Sequence, residues 1–445
     1  MCQLQNKVIL LLVLITALTA CDSPDNQPQL KTSSQNENIQ PSRVINISPP
    51  EINAAETAIA AGNDGTVFVV WVEHKANKEA DLMLRRYDSA GNPKSETVRI
   101  NPQPGQVKAW YGDPPTIKVG RDGQVYVGWT ATVEGAKGAA NTLYLSVSRD
   151  GGNSFESPVK VNDDAAPASH GMYSLAIDDA GRVFFAWLDE RYLNSHKEHA
   201  EVKKISDETP HFEKIAFFDH KPETKHKSEP NAELYFSVSS DGGKTFSPNK
   251  KLAGDACPCC KTSLLAASDG RLYVSWRQVL NEDFRHIAVA ASTNGGNSFA
   301  TPVVVSDDQW QISACPVSGA ALVEDSNKTL KIAWFTGGKA GKPGIYSSDS
   351  KDGGKTFSPR MLISENAAGG TPSLIPSKTK NSQIIWTEAG KIMKATLSNE
   401  KSDIENKQEI SSGEHPAVTF SGEQIFVSFV ENEKEKRNIK LSIVK

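Results

Sequence analysis

Residues 255–302 read DACPCCKTSLLAASDGRLYVSWRQVLNEDFRHIAVAASTNGGNSFATP, and the fold is decided by this stretch. Residues 262–267 form a first apolar run, closed by the turn residues Ser268-Asp269-Gly270. Leu272–Trp276 alternates as a second strand of β-branched and aromatic residues suited to a pleated, half-buried surface. A third strand is predicted over Ile287–Ser292, a polar turn over Thr293–Asn297 and a fourth strand over Val303–Val305. In the turn, glycine supplies positive φ, and a short polar side chain such as Asn294 can bond nearby amides. Phe299 is expected to anchor the turn to the blade.

The unit recurs along the chain, which is the signature of a repeat architecture. Its second strand reappears as VFVVW ending at Trp71, VYVGW at Trp129, VFFAW at Trp187, LKIAW at Trp334 and QIIW at Trp386, with IFVSF ending at Phe429. Trp71, Trp129 and Trp187 are spaced by 58 residues, as are Trp276 and Trp334. The turn returns as SRDGGNSF (148–155), SSDGGKTF (239–246), STNGGNSF (292–299) and SKDGGKTF (350–357). These four turns resemble the Asp-box, or BNR, motif of sialidase-like β-propellers, and the resemblance covers about residues 43–445 as architecture. The motif marks a turn and carries no catalysis.

The expected fold is therefore all-β, a propeller of four-stranded blades. The last segment, 415–445, supplies three strands, and the lone run RVINIS (43–48) has no partner in sequence. A ring closes well when one terminus donates the missing outer strand, because exposed strand edges are removed. That arrangement gives seven blades, with six as the alternative count. Sialidase catalytic domains are six-bladed, so seven already separates this chain from them.

The amino terminus is organised differently. Lys7 precedes the apolar run Val8–Leu18, too short for a stable membrane span, and Leu18-Thr19-Ala20-Cys21 resembles the lipobox of bacterial lipoproteins. The resemblance implies removal of residues 1–20, lipid on Cys21 and a periplasm-facing protein of the cell envelope. Asp22 resembles an inner-membrane retention signal. Residues 22–42, polar and rich in Asn, Gln, Ser and Pro, read as a tether that spans about 25 Å as a flexible coil. The propeller domain is expected over 43–445. A net charge of −4 offers no basic face for nucleic acid, so the expected partners are the membrane, through the lipid, and a protein or carbohydrate ligand.

Connections between blades, and loops between second and third strands, share one face of a propeller. The unusual residues fall there. Cys257, Cys259 and Cys260 precede the first strand of blade 4, and Cys315 precedes that of blade 5. Trp110 and Tyr111 lead into blade 2, His170 into blade 3, and Trp310 lies between blades 4 and 5. An insertion over residues 189–233 carries His196, His199, His211, His220 and His226. Three readings of the cysteines stay open: disulfides, with a bridge to Cys315 between two blades; a soft-metal site holding copper or zinc; and a redox-active thiol. The C-x-C-C element and the run Trp310–Pro316 also resemble exported bacterial propellers described as sialidase-like, for which no activity is implied.

A sialidase would need three arginines on the sugar carboxylate, since each guanidinium offers a planar pair of donors. The corresponding run in the first blade is Thr57-Ala58-Ile59, and Arg121, Arg182 and Arg271 fall in turns on the opposite face. Arg191, Arg277 and Arg285 remain as ligand-face candidates, all from blades 3 and 4. The arginine constellation of an exo-sialidase-like glycoside hydrolase is not found, and no catalytic residue is assigned.

Overall fold

The computed structural model describes residues 43–133, 140–192, 231–312, 316–367, 370–376, 381–398, 403–433 and 436–444. The described strands group into seven antiparallel sets of four. The third and fourth sets are joined into one eight-stranded sheet by a single pairing, Ala256 with Gln278. The first strands of the sets are Asn53–Ala61, Thr116–Val119, His170–Ile177, Ser263–Ala266, Ala320–Glu324, Ser373–Ile375 and Glu414–Ser421. Each touches the next, and Glu414–Ser421 touches Asn53–Ala61, so they form a closed inner ring. The chain is a β-propeller.

Closure follows the expected route. Arg43–Asn46 pairs antiparallel with Lys436–Val444, Arg43 opposite Ile443 and Asn46 opposite Lys440, and so completes the set begun at Glu414. The strand is shorter than the expected 43–48. Ile47 still donates its N–H to Ile439 O at 2.9 Å before the chain turns away.

In blade 4 the strands are Ser263–Ala266, Leu272–Leu280, Phe284–Ser292 and Val303–Val304. The second strand departs from expectation: Leu272–Trp276 is buried on both faces, not on one. A blade is sandwiched between two neighbours, so alternate side chains meet different blades and neither set meets water. The same holds at Val67–Trp71 and Val183–Trp187. The six tryptophans at this position are all within 1% of full burial, and each indole N–H finds an acceptor. Four donate to the side chain two residues on: Trp71 to Glu73, Trp187 to Asp189, Trp276 to Gln278 and Trp386 to Glu388, at 2.7–3.1 Å. Trp129 and Trp334, which lack such a neighbour, use Ser146 Oγ at 2.9 Å and Asp308 Oδ2 at 2.7 Å.

The Asp-box turns show why their residues recur. In the turn of blade 3, Asp241 Oδ1 accepts from the amides of Lys244 and Thr245 and from Ser239 Oγ, while Oδ2 accepts from Thr245 Oγ1. These bonds, the Thr245 hydroxyl foremost, hold its carboxyl well below the usual range. Asp150 and Asp352 are lowered in the same way, led by Ser154 and Thr356. Blade 4 substitutes Asn294, whose Oδ1 accepts the Ser298 amide at 2.9 Å.

Each turn also docks on the blade before it. A Cβ on Gly296 would lie 2.4 Å from Phe236 of blade 3, and one on Gly243 would lie 2.6 Å from Leu145 of blade 2. Phe299 packs edge-on against Phe236 of the preceding blade at 5.1 Å, in a cluster that also holds Leu272 and Val274 of its own blade, so it anchors its turn at the junction of the two. Arg182 and Arg271, in turns on this face, cover Gly295 and Gly353 of the next blade.

Candidate functional site

The cysteine loop is pinned at both ends. Asp255, at φ +52, and Ala256 end the outer strand of blade 3, Lys250–Ala256, where Ala256 pairs with Gln278 of blade 4. Gln278 Nε2 donates to the carbonyls of Gly254 and Asp255 at 3.1 and 3.0 Å. The Cys257 amide donates to Arg277 O at 2.8 Å. At the far end, Thr262 N–H reaches Met172 O at 2.8 Å, and the Thr262 hydroxyl lies 2.8 Å from the same carbonyl. The five residues between are folded back on themselves, with the Cys260 amide on Cys257 O.

This folding brings three sulfurs together. Cys257 Sγ lies 3.6 Å from Cys259 Sγ and 3.5 Å from Cys260 Sγ, and all three fall within 4.8 Å of one another. No disulfide joins them, and they are 1%, 5% and 0% exposed in an apolar cluster with Trp276, Leu188 and Val279. Cys315 lies outside the described residues, so the expected bridge to it, and its part in a metal site, are not described. The histidines of the insertion also lie outside them.

Two guanidiniums flank the thiols. Arg285 Nη1 donates to Cys257 Sγ at 2.9 Å, and its backbone N–H bonds Trp310 O at 2.8 Å. Arg277 is fully buried, with Nε and Nη2 on Ser318 O at 3.1 and 2.9 Å and Nη2 also on Phe335 O. Its guanidinium sits 4.7 Å from the centroid of the Trp310 ring. Hydrogen bonds from Cys259 and Cys260, then the Arg285 charge, pull the Cys257 thiol far below its ordinary range. Burial pushes Cys260 the other way. The hydrogen bonds and the Arg285 charge thus favour the thiolate at Cys257, while burial disfavours it at Cys260.

The remaining expected residues divide into two groups. His170 and Arg191 belong to a carboxylate network at the junction of blades 2 and 3. His170 Nε2 lies 3.0 Å from Asp164, and Arg191 bonds Asp189 through Nε and Nη2 and Asp163 through Nη1. His170, expected as a ligand-face candidate, is only 1% exposed, and its Nδ1 lies 2.8 Å from Asn141 O. Arg191, Arg277 and Arg285 do not converge on one open anion site; each is committed to a different partner set.

Trp110 and Tyr111 are the other group. They are 37% and 53% exposed, meet edge-on at 5.0 Å, and Tyr111 lies 5.3 Å from the His415 ring. Trp110 walls a cleft of ≈260 Å³ whose lining includes Lys108, Asp113, Glu190, Met172, Pro258 and Cys259. Burial lowers the Lys108 ammonium pKa, offset in part by Glu190. Lys261 bonds Asp113 at 3.1 Å and Pro114 O at 2.8 Å, tying the lead-in of blade 4 to that of blade 2 over the Tyr173 ring. The sequence reading missed Lys108, Lys261, Asp113 and Met172. The C-x-C-C spacing signals the thiols, and Trp110, Arg277, Arg285 and Trp310 are placed on this face by their positions in the repeat.

No protein-family model matches the chain, and no curated protein matches it. Solved structures do. A polysaccharide lyase described as an ulvan lyase bound to -[GlcA(1-4)Rha3S]- is similar at a TM-score of 0.56 and 9% identity, covering 90% of this chain and 96% of that one. The polysaccharide lyase Uly1 is similar at 0.53 and 12% identity, covering 87% and 89%. A protein of unknown function from Dyadobacter fermentans is similar at 0.51 and 12% identity, covering 92% and 99%. Sialidases also occur among the similar structures, at TM-scores of 0.48. At these identities the likeness establishes a shared fold.

Proposed function

We propose that this chain is a propeller binding module of the bacterial cell envelope that holds a soft metal ion, copper or zinc, on Cys257, Cys259 and Cys260. The observation that carries the reading is the convergence of three buried thiols within 4.8 Å of one another, beside a guanidinium that favours the thiolate form. Thiolates select soft ions, and a trio at this separation can bind one ion with little movement. Cys259 borders the cleft, which supplies a path from solvent. The lipobox-like run ending at Cys21 supports a lipid anchor, and Asp22 supports the inner membrane with the propeller facing the periplasm. Exposed Trp110 and Tyr111 beside the cleft support a carbohydrate or protein ligand on the same face. The exo-sialidase alternative shares the fold but gains nothing from the arginines, which are committed elsewhere.

The test is thiol counting and metal analysis on protein purified without reductant, for the wild type and Cys259→Ser. Bound copper or zinc that falls away in the variant is the expected result. Zero free thiols with no metal would leave disulfides as the role of these cysteines and end the proposal.

A further inference from the structure

We infer that Met172 supplies a thioether to the three-thiol site, and that the ion so held is monovalent copper, exchanged through the cleft that Met172 and Cys259 share. The inference rests on the soft-metal reading above and names its ion and its fourth ligand.

Placement comes first. Met172 is 5% exposed on the first strand of blade 3, and its carbonyl is held by Thr262, the residue that ends the cysteine loop. It lines the same cleft as Pro258 and Cys259 and belongs to the same buried cluster as all three cysteines. Cys257 and Cys260 do not line that cleft, so Cys259 and Met172 are the sulfur-bearing residues through which the cluster meets it.

The backbone at Met172 has φ +54, inside a bulge between Gly171 and Ser174. Glu56 and His415 take φ +47 and +52 at the matching register of blades 1 and 7, each two residues before the partner of the residue preceding Trp71 or Phe429. The bulge is therefore architectural. What distinguishes blade 3 is the side chain it carries there: a neutral, flexible thioether in the buried cluster that also holds the three thiols, where the other two blades carry a carboxylate and an imidazole.

Charge decides the ion. Arg277 and Arg285 are both buried at the cluster, and each keeps one nitrogen without a hydrogen-bond partner, Nη1 and Nε respectively. Three thiolates with a monovalent ion carry two negative charges, which these two guanidiniums balance, and a thioether adds none. A divalent ion would leave one buried positive charge uncompensated, which an apolar interior penalises. Thioethers also suit Cu(I), whereas protein sites for Zn(II) are built from thiolate, imidazole and carboxylate.

The experiment uses the full chain labelled with selenomethionine and loaded anaerobically with Cu(I). Selenium-edge X-ray absorption should show a copper neighbour in the wild-type protein and none in Met172→Leu, a near-isosteric change whose folding is checked by melting. Transfer of Cu(I) to bicinchoninate should be about tenfold faster or more in Met172→Leu, while Zn(II) retention is unchanged. Copper taken up with no selenium neighbour would overturn this inference alone. Zinc held on the thiols without uptake of Cu(I) would likewise overturn this inference alone, and failure of the wild type to hold either ion would overturn the metal reading beneath it.

Discussion

Replacing Gly296 by alanine separates two contributions that the fold places at one residue. Gly296 has φ +84, and an added Cβ would stand 2.4 and 2.5 Å from Phe236 Cζ and Cε1 of the preceding blade. Gly270 has nearly the same backbone, φ +85, with nothing within 4 Å of its Cβ position. Left-handed backbone costs an alanine roughly 1–2 kcal/mol, so Gly270→Ala should lose about that much. Gly296→Ala carries the same backbone cost and must also displace a ring. Phe236 is 2% exposed and packs against Phe184 and Phe299, so it has little room to retreat. Overpacking of this kind adds about 1–3 kcal/mol, for a total of about 2–5. Urea unfolding of both variants, with slopes checked against the wild type, reads the difference directly. Equal losses would refute the claim that Asp-box turns lock adjacent blades together, and would reduce their glycines to a backbone requirement.

Two further perturbations address charge. The Asp150, Asp241 and Asp352 carboxyls are depressed in the fold, so their contribution is fully present above the unfolded value of about 4 and is lost as pH falls through the folded value below it. Urea midpoints should drop between pH 5 and pH 3, and Asp241→Asn, which copies the residue found at position 294, should flatten that drop; an unchanged acid limb would contradict it. Lys261→Met leaves Asp113, whose side chain is 6% exposed, without its ammonium partner, and should cost about 3–5 kcal/mol. Lys261→Met combined with Asp113→Asn should recover much of that loss in thermal or urea unfolding, and a purely additive double variant would show that the pair does not tie blades 2 and 4 together.

The repeat was legible in the sequence because each blade solves the same problem with the same residues. The W-ending runs marked the second strands, the S-x-D-G-G turns marked the third-to-fourth connections, and the unpaired run at Arg43 marked the closure. Strand burial was misjudged at Leu272–Trp276 because alternation of residue types says how side chains divide between faces, not what covers each face. The contact of Phe299 with Phe236 was out of view for a related reason: the two stand in adjacent repeats and meet only through the ring. Four of the tryptophans carry their acceptor two residues on, a W-x-[DEQ] pattern that was available and unread.

The site was half legible. The C-x-C-C spacing drew attention to the loop, but neither the fold-back that converges the sulfurs nor the Arg285 contact has a local signature, since Arg285 stands on the far side of a hairpin. Met172 carried no signal, because a methionine in an apolar strand reads as core. His170 was singled out by position, yet its partners Asp164 and Asn141 come from the preceding connection and strand, which only the fold brings beside it. Lys108 and Glu190, on different blades, become neighbours of one cleft only through the ring.

The account turns on whether the three thiols are a reduced, metal-holding set, and chelator-dependent alkylation mapped by mass spectrometry tests this most directly. Protein purified without reductant is treated with an alkylating reagent before and after a strong Cu(I) and Zn(II) chelator, under unfolding conditions in a parallel sample. The predicted result is a peptide spanning residues 251–261 whose Cys257, Cys259 and Cys260 resist alkylation until the chelator is added, then react in full. The same peptide carrying an internal disulfide, indifferent to chelator and opened only by reductant, would contradict the account.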